Sequence, residues 1–151
     1  MAPYSSRRTL LRAWLYNFII GNADAHAKNY SFLWHAKTGR WTVAPLYDLL
    51  SVTHYLASQP QSMGLLDEYR PGWFGPEHWR ELARLAGVTP AYLAGEACQM
   101  AAAVRKAAPS LAVVLRDQLL PDELDFLAEK INPAVQQRCE QLLDARIASR
   151  G

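Results

Sequence analysis

The side chains best suited to chemistry lie in one short region of the sequence, and they are Asp24, His26, Lys28, Asn29 and Asp48. Asp24 and Asn29 form the pattern D-x-x-x-x-N, and Asp48 follows after a run of apolar and aromatic residues. A carboxylate can accept a proton from a hydroxyl group, and carboxylate and amide oxygens are the hard ligands that Mg²⁺ prefers. The set therefore predicts transfer of a phosphoryl group, which needs a base and divalent cations held against phosphates.

Each of these residues has a candidate role in such a reaction. Asp24 is the candidate base that takes the proton of the acceptor hydroxyl, and Asn29 and Asp48 are the candidate Mg²⁺ ligands. Lys28 and His26 are the candidate cofactor-binding residues. Lys28 is a candidate partner for the γ-phosphate, and His26 could form a hydrogen bond in the same loop. The expected cofactors are therefore Mg²⁺ and ATP.

A structural interpretation exists for every one of these residues. The D-x-x-x-x-N pattern is short and common, and Asp24 and Asn29 could form Asx turns or helix caps. Asp48 could cap a turn that begins at Leu49, Lys28 could be a solvated surface residue, and His26 could be a hydrogen-bonded loop residue. The catalytic interpretation is favoured by the preceding helix, the following hairpin and the apolar neighbours of Asp48.

A predicted helix over residues 5–20 precedes the polar loop. Its apolar residues recur at helical spacing, and Gly21 stands where a left-handed residue would end the helix. The residues that define this apolar stripe are Leu10, Leu11, Trp14, Leu15, Phe18 and Ile19. The loop is thus expected to start from the end of a buried helix, which would hold its polar groups in place.

A predicted β-hairpin follows the loop. Its strands are Tyr30–Trp34 and Trp41–Ala44, its turn is Lys37-Thr38-Gly39-Arg40, and Pro45 ends the second strand. This hairpin would turn the chain back so that Asp48 meets the loop. The tryptophans of the hairpin are expected to fill space in its packing.

The rest of the sequence is predicted to be largely helical. A short strand is expected at Met63–Tyr69, and the last helix has an apolar stripe that runs from Val135 to Ile147. The predicted helices start at Pro76, at Thr89-Pro90, at Leu111 (to Leu119), at Asp122 (to Ile131) and at Asn132-Pro133. The expected fold is mainly α with a small β-hairpin, α+β overall.

Composition narrows the class of protein. The 151 residues are 50% hydrophobic with a formal net charge of +2, which suits one domain with a real core and gives no basic arm for nucleic acid. Cys98 and Cys139 lack the spacing of a zinc site and are expected to be reduced thiols. No leader or membrane-spanning segment is apparent, so a cytoplasmic location without membrane contact is expected.

The two motifs resemble those of a known family. Asn22-Ala23-Asp24-Ala25-His26-Ala27-Lys28-Asn29, followed by Ala44-Pro45-Leu46-Tyr47-Asp48-Leu49, is similar to the C-terminal lobe of the HipA-like toxin kinases. The similarity extends over most of residues 1–151 and is sharpest from about residue 10 to residue 50. It implies the helical C-terminal lobe of a protein-kinase-like fold, ATP- and Mg²⁺-dependent phosphorylation of a protein serine or threonine, and the same roles for Asp24, Asn29 and Asp48.

The resemblance also implies partners. Members of the family phosphorylate a protein, typically an aminoacyl-tRNA synthetase, and are neutralised by a DNA-binding antitoxin of the HipB type, so contact with DNA would be indirect. The polar loop begins about twenty residues after Met1, so the ATP-binding N-terminal lobe is expected to be absent from this chain, which would be either a fragment of a longer protein or a separately encoded half of a kinase. The lobe by itself is therefore expected to be inactive. A non-catalytic scaffold for an antitoxin or another protein, and a small-molecule or lipid kinase with the same loop, remain alternatives.

Overall fold

Helices dominate the part of the chain that the computed structural model describes, residues 4–54 and 60–144. The described elements are helix α1 (Tyr4–Ile20), strands β1 (Phe32–His35) and β2 (Arg40–Val43), and helices α2 (Pro76–Ala86), α3 (Pro90–Ala107), α4 (Leu111–Val114), α5 (Pro121–Phe126) and α6 (Asn132–Asp144). The two strands form one antiparallel sheet. The predicted fold, mainly α with a small hairpin, is confirmed.

Helix α1 lies at the centre of the core. Its residues Leu15, Phe18 and Ile19 are fully buried against α2, α3 and α6. The predicted end of the helix is confirmed, because Gly21 has a φ of 70° and its amide donates to the carbonyl of Phe18 at 3.2 Å. Burial of one broad face of α1 therefore fixes the point at which the polar loop begins.

Aromatic side chains pack around the C-terminal half of α1. Trp14 and Phe18 stack with ring centroids 5.8 Å apart, and Trp79 of α2 packs edge-on against Phe18 at 5.6 Å. Phe74, which precedes α2, stacks on Phe18 at 6.2 Å. Such offset and edge-to-face pairs add to the stabilisation that comes from burial alone.

Two further contacts connect α1 to distant helices. The buried carboxylate of Glu96 in α3 accepts from Arg12 at 3.0 Å and from the hydroxyl of Tyr92 at 2.6 Å. At the other end of α1, the guanidinium of Arg138 in α6 donates to the Phe18 carbonyl at 3.3 Å and lies over the Phe18 ring. A cation at this position stabilises the helix C-terminus, and burial lowers the pKa of Arg138.

The hairpin contacts α1 but contributes no buried side chain to the core. Its register pairs Phe32 with Val43 and Trp34 with Trp41, and the two indole rings contact each other at 5.2 Å. Both tryptophans are 51% exposed, so they pack on each other across the strands and do not fill the core. Gly39 closes the turn with a φ of 60°.

The predicted strand at Met63–Tyr69 is wrong. Only Leu65 and Glu68 form a bridge, and the two residues between them, Leu66 and Asp67, both have left-handed φ values, 51° and 61°. These values are those of a tight two-residue turn, which reverses the chain before a strand can form. The Glu68 carboxylate then accepts the backbone amides of Tyr69 and Arg70 at 2.9 and 2.8 Å.

The C-terminal helices also differ from the prediction. Helix α4 ends at Val114, and α5 continues through a π-helical turn, Leu127–Ile131, directly into α6. Asn132 has helical φ and ψ and does not cap a new helix. The wider π turn accommodates Pro133, whose ring would crowd the preceding turn of a regular α-helix. The predicted stripe residue Ile147 lies outside the described residues.

Substitution of Gly21 tests the helix end. A Cβ atom at this position would meet Thr53 and Arg138 and would have to accept a left-handed φ. We expect Gly21→Ala to lower the free energy of unfolding by at least about 1–2 kcal/mol, measured by urea denaturation. Gly95→Ala is the matched control, because a Cβ atom there meets nothing within 4 Å on helix α3. It should stabilise the fold by about 0.5–1 kcal/mol, and equal effects of the two substitutions would contradict the structure.

The turn at residues 65–70 should contribute a stability that depends on pH. Hydrogen bonds from the Arg70 side chain and from the backbone lower the pKa of Glu68 from 4.5 to about 2. A lowered pKa means that this contribution is complete above pH 4.5 and is lost as the pH falls through about 2. NMR titration of the Glu68 carboxyl carbon should show the low pKa, and Arg70→Gln should raise it. A wild-type titration centred at 4.5 would show that the contact does not persist in solution.

Candidate functional site

The polar loop begins at the end of α1, and backbone hydrogen bonds to α1 and to the segment around Ser62 hold it in place. The amide of Asn22 donates to the Asn17 carbonyl at 2.9 Å, and the Ala23 carbonyl accepts from the amide of Ser62 at 2.9 Å. Ala25 is buried, and the loop ends in a 3₁₀ turn, Ala27–Asn29. The loop therefore has a fixed base in the core and exposes Asp24 and Lys28 to solvent.

The structure brings Asn29 and Asp48 into direct contact. The amide nitrogen Nδ2 of Asn29 donates to carboxylate oxygen Oδ2 of Asp48 at 2.6 Å. The hairpin produces this contact, because its two strands return the chain to the loop with Val43 opposite Phe32. In this orientation the amide nitrogen faces the carboxylate, and a half-turn of the amide would present the oxygen that a cation needs.

The sequence neighbours of Asp48 predicted an apolar pocket around it, and this prediction is wrong. Its side chain is exposed, and so are those of Tyr47, Leu49 and Leu50. The reason is local: the segment has no regular secondary structure, and Asp48 has a left-handed φ of 57°. The carboxylate therefore keeps contact with water and is open to a ligand.

The other predicted site residues lie on the same loop but not in this contact. Asp24 is exposed, and its carboxylate accepts no hydrogen bond from any described residue. Lys28 is also exposed, and its backbone carbonyl accepts from the hydroxyl of Tyr47 at 2.9 Å. His26 is half-buried, and its ring atom Nδ1 is buried without a hydrogen-bond partner among the described residues. The position of Asp24 suits a group that meets a solvent-borne substrate.

Three residues without a predicted role connect the loop to its surroundings. Nδ2 of Asn22 donates to the Asp48 backbone carbonyl at 2.8 Å and to Oδ1 of Asn17 at 3.1 Å. Asn17 in turn donates to the Tyr30 hydroxyl at 3.1 Å, and burial raises the pKa of Tyr30. The sequence signals only the two asparagines: Asn17 lies in an otherwise apolar helix, and Asn22 directly follows Gly21. Tyr30 has no such signal.

The chemistry of the donor set suits a cation that arrives with phosphates. Asn29 and Asp48 offer one amide and one carboxylate, and the described residues contain no group of three or more His, Cys, Asp or Glu side chains that could hold a metal ion. Mg²⁺ is commonly bound by one or two carboxylates, by water and by substrate phosphates. The residues present therefore fit Mg²⁺ bound to a nucleotide better than a free structural metal ion.

The fold of this chain has a counterpart in a solved structure. It matches the HipA chain in the Shewanella oneidensis complex of HipA, HipB and operator DNA with a TM-score of 0.77 and 27% identity, over 90% of this chain and 31% of that chain. The sequence gives the family: the model of the HipA-like C-terminal domain matches residues 1–110. The chain belongs to the HipA-like C-terminal domain family.

Curated relatives carry kinase names. The chain is 40% identical over 70 residues to the serine/threonine-protein kinase toxin HipA of Shewanella oneidensis, a match that covers 46% of this chain and 16% of that protein. It is 38% identical over 87 residues to a protein of Sinorhizobium fredii named as kinase Y4mE, which covers 57% of this chain and 20% of that protein. The matches thus span a fifth or less of these relatives.

The length and hydropathy of the helices test for a membrane-spanning segment. None of the helices in the described part of the chain is both long enough and apolar enough to span a bilayer.

Proposed function

We propose that this chain is the C-terminal lobe of a HipA-like serine/threonine kinase and carries the base and the Mg²⁺ ligands for phosphoryl transfer from ATP to a protein hydroxyl. The observation that carries the proposal is the 2.6 Å contact between Asn29 and Asp48, which are 19 residues apart in sequence. Two ligands on separate segments must converge for one cation to bind both. The family membership and the kinase names of the relatives support the same reaction.

Each residue of the loop has a defined task in this proposal. Asp24, exposed and without competing hydrogen bonds from described residues, accepts the proton of the attacking hydroxyl. Asn29 and Asp48 hold Mg²⁺, which would neutralise phosphate charge when bound with ATP. Lys28 extends into solvent beside this pair and contacts the γ-phosphate, whereas His26 has a half-buried ring and supports the loop.

In this proposal, residues outside this lobe are needed to complete the active site. Positioning and electrostatic stabilisation account for most of the catalysis of phosphoryl transfer, and both need the phosphates to be covered. The described loop and hairpin lie on one side of the proposed site and leave it open to solvent. We therefore propose that activity also requires an ATP-binding N-terminal lobe. The matched HipA chain is longer, and this chain covers 31% of it.

Substitution of the carboxylates tests the catalytic roles. In the chain joined to the N-terminal lobe of a HipA-like kinase, Asp24→Asn and Asp48→Asn should each lower phosphoryl transfer from labelled ATP to protein by about 10²–10⁴-fold. Each change keeps the shape and removes a charge. Asp117→Asn is the matched control, since it removes an exposed carboxylate outside the loop and the hairpin. Full activity of both loop variants would refute the enzymatic proposal.

Metal binding by the lobe can be measured without turnover. Mn²⁺ replaces Mg²⁺ at oxygen ligands and is observed directly by electron paramagnetic resonance. With ATP present, we expect Asp48→Asn and Asn29→Ala to weaken Mn²⁺ binding to the 151-residue chain, whereas Asp117→Asn should not. Equal Mn²⁺ affinity in all of these variants would mean that the Asn29–Asp48 pair does not bind the metal ion.

Exposed apolar surface favours a second candidate function, a scaffold for a protein partner. A groove of about 380 Å³ runs beside α1 and is lined largely by apolar residues, among them Leu10, Trp14 and Leu85. The exposed hairpin adds Leu33 and Trp34. A HipB-type antitoxin is a candidate partner, because the matched HipA structure is a complex with HipB. Binding of a purified HipB-type protein to the lobe, unchanged in Asp24→Asn and Asp48→Asn, would support this function.

A further inference from the structure

The side chain of Asn22 connects the end of helix α1 to the segment that carries Asp48. Asn22 is only 2% exposed, and its two amide hydrogens are used by two acceptors, the Asp48 backbone carbonyl at 2.8 Å and Oδ1 of Asn17 at 3.1 Å. Asn17 belongs to α1 and is itself 6% exposed. Two hydrogen bonds, one buried and one partly buried, therefore lead from the core to the backbone of the proposed metal ligand.

The orientation of the Asn22 amide follows from its partner. The group facing it is a backbone carbonyl of Asp48, which can only accept, so the nitrogen must face it. Oδ1 of Asn22 is consequently buried with no hydrogen-bond partner among the described residues. A buried oxygen without a donor is unfavourable, so the position would be better filled by an apolar residue if it served packing alone.

The backbone of Asp48 needs such a restraint. Asp48 has a left-handed φ of 57° in a segment without regular secondary structure. An aspartate left to itself prefers a negative φ, and rotation to that region would turn its side chain away from Asn29. The hydrogen bond from Asn22 holds the backbone carbonyl of Asp48. The side-chain carboxylate of the same residue contacts Asn29 at 2.6 Å.

We propose that Asn22 is a positioning residue: it fixes the left-handed backbone of Asp48 and so sets the distance between the Asp48 carboxylate and Asn29. This inference rests on the proposed function only for its consequence, the binding of Mg²⁺ with ATP. The geometric part stands independently of any metal ion. A hydrogen bond from Tyr47 to Lys28 brings the same two segments together but leaves the φ angle of Asp48 free.

The variant Asn22→Leu separates positioning from stability. Leucine has the same branched shape as asparagine but is bulkier. It removes the two donated hydrogen bonds together with the unpartnered Oδ1, and we expect the fold to be kept. Val135→Ala is the control for a general loss of stability, since Val135 is buried in α6 and belongs to the hydrophobic core. If Asn22→Leu does not fold, Asn17→Ala removes one acceptor of the Asn22 amide and should give the same changes in smaller measure.

The first measurement follows the Asn29 side-chain amide by ¹H–¹⁵N NMR with asparagine labelled. In the wild type the hydrogen bond to the charged Asp48 carboxylate should shift the amide proton of Asn29 downfield. In Asn22→Leu this signal should move to the position of a free amide, and in Val135→Ala it should remain. An unchanged Asn29 signal in folded Asn22→Leu would overturn the inference, whether or not the lobe binds a metal ion.

The second measurement is Mn²⁺ affinity in the presence of ATP. Loss of a residue that orients a metal ligand typically costs 10–100-fold in affinity, and we expect about that loss for Asn22→Leu. In Asn22→Leu combined with Asp48→Asn, the affinity should be no lower than for Asp48→Asn alone, because Asn22 acts only through Asp48. Additive losses would show that Asn22 acts elsewhere and would overturn the inference.

The two measurements also separate the two proposals. If Asp48→Asn leaves Mn²⁺ affinity unchanged, the proposed metal site is wrong, and the Asn29 amide signal still decides whether Asn22 positions Asp48. If Asp48→Asn weakens Mn²⁺ binding while Asn22→Leu matches Val135→Ala in both measurements, the metal site stands and the role of Asn22 is refuted.

Discussion

Burial of helix α1 is the constraint on which the rest of the structure depends. Leu15, Phe18 and Ile19 lose contact with water against three other helices, and this burial is the main source of stability that the sequence offers. The helix must then end where its apolar face ends, at Gly21, and the chain must leave in a left-handed turn. The polar loop thus takes its position from the core, and its backbone hydrogen bonds hold it there.

The sequence predicts the elements whose signals are local. The apolar stripe of α1 and the glycine after it were sufficient to predict the helix and its end. Two short apolar and aromatic runs on either side of a turn with Gly39 predicted the hairpin. Each of these signals lies within one element, so no knowledge of distant partners is needed. The π turn before α6 is different, because Pro133 interrupts a regular helix but the packing on both sides keeps the chain helical.

Long-range contacts in the candidate site were predictable only in outline. The spacing of Asn29 and Asp48 across a hairpin suggested that the two would meet, yet the apolar residues around Asp48 suggested a burial that the structure does not have. Composition cannot tell which face of an irregular segment meets solvent. The bond from Asn22 joins residues 26 positions apart through a carbonyl group, and a backbone acceptor leaves no trace in the sequence.

The contact of Arg138 with the end of α1 has a consequence for the order of events during synthesis. This hydrogen bond joins residues 120 positions apart, so the helix that launches the polar loop is capped by a side chain from α6. A chain emerging from the ribosome reaches that side chain last among the elements that surround α1. The loop would therefore acquire its final geometry only after α6 has been synthesised.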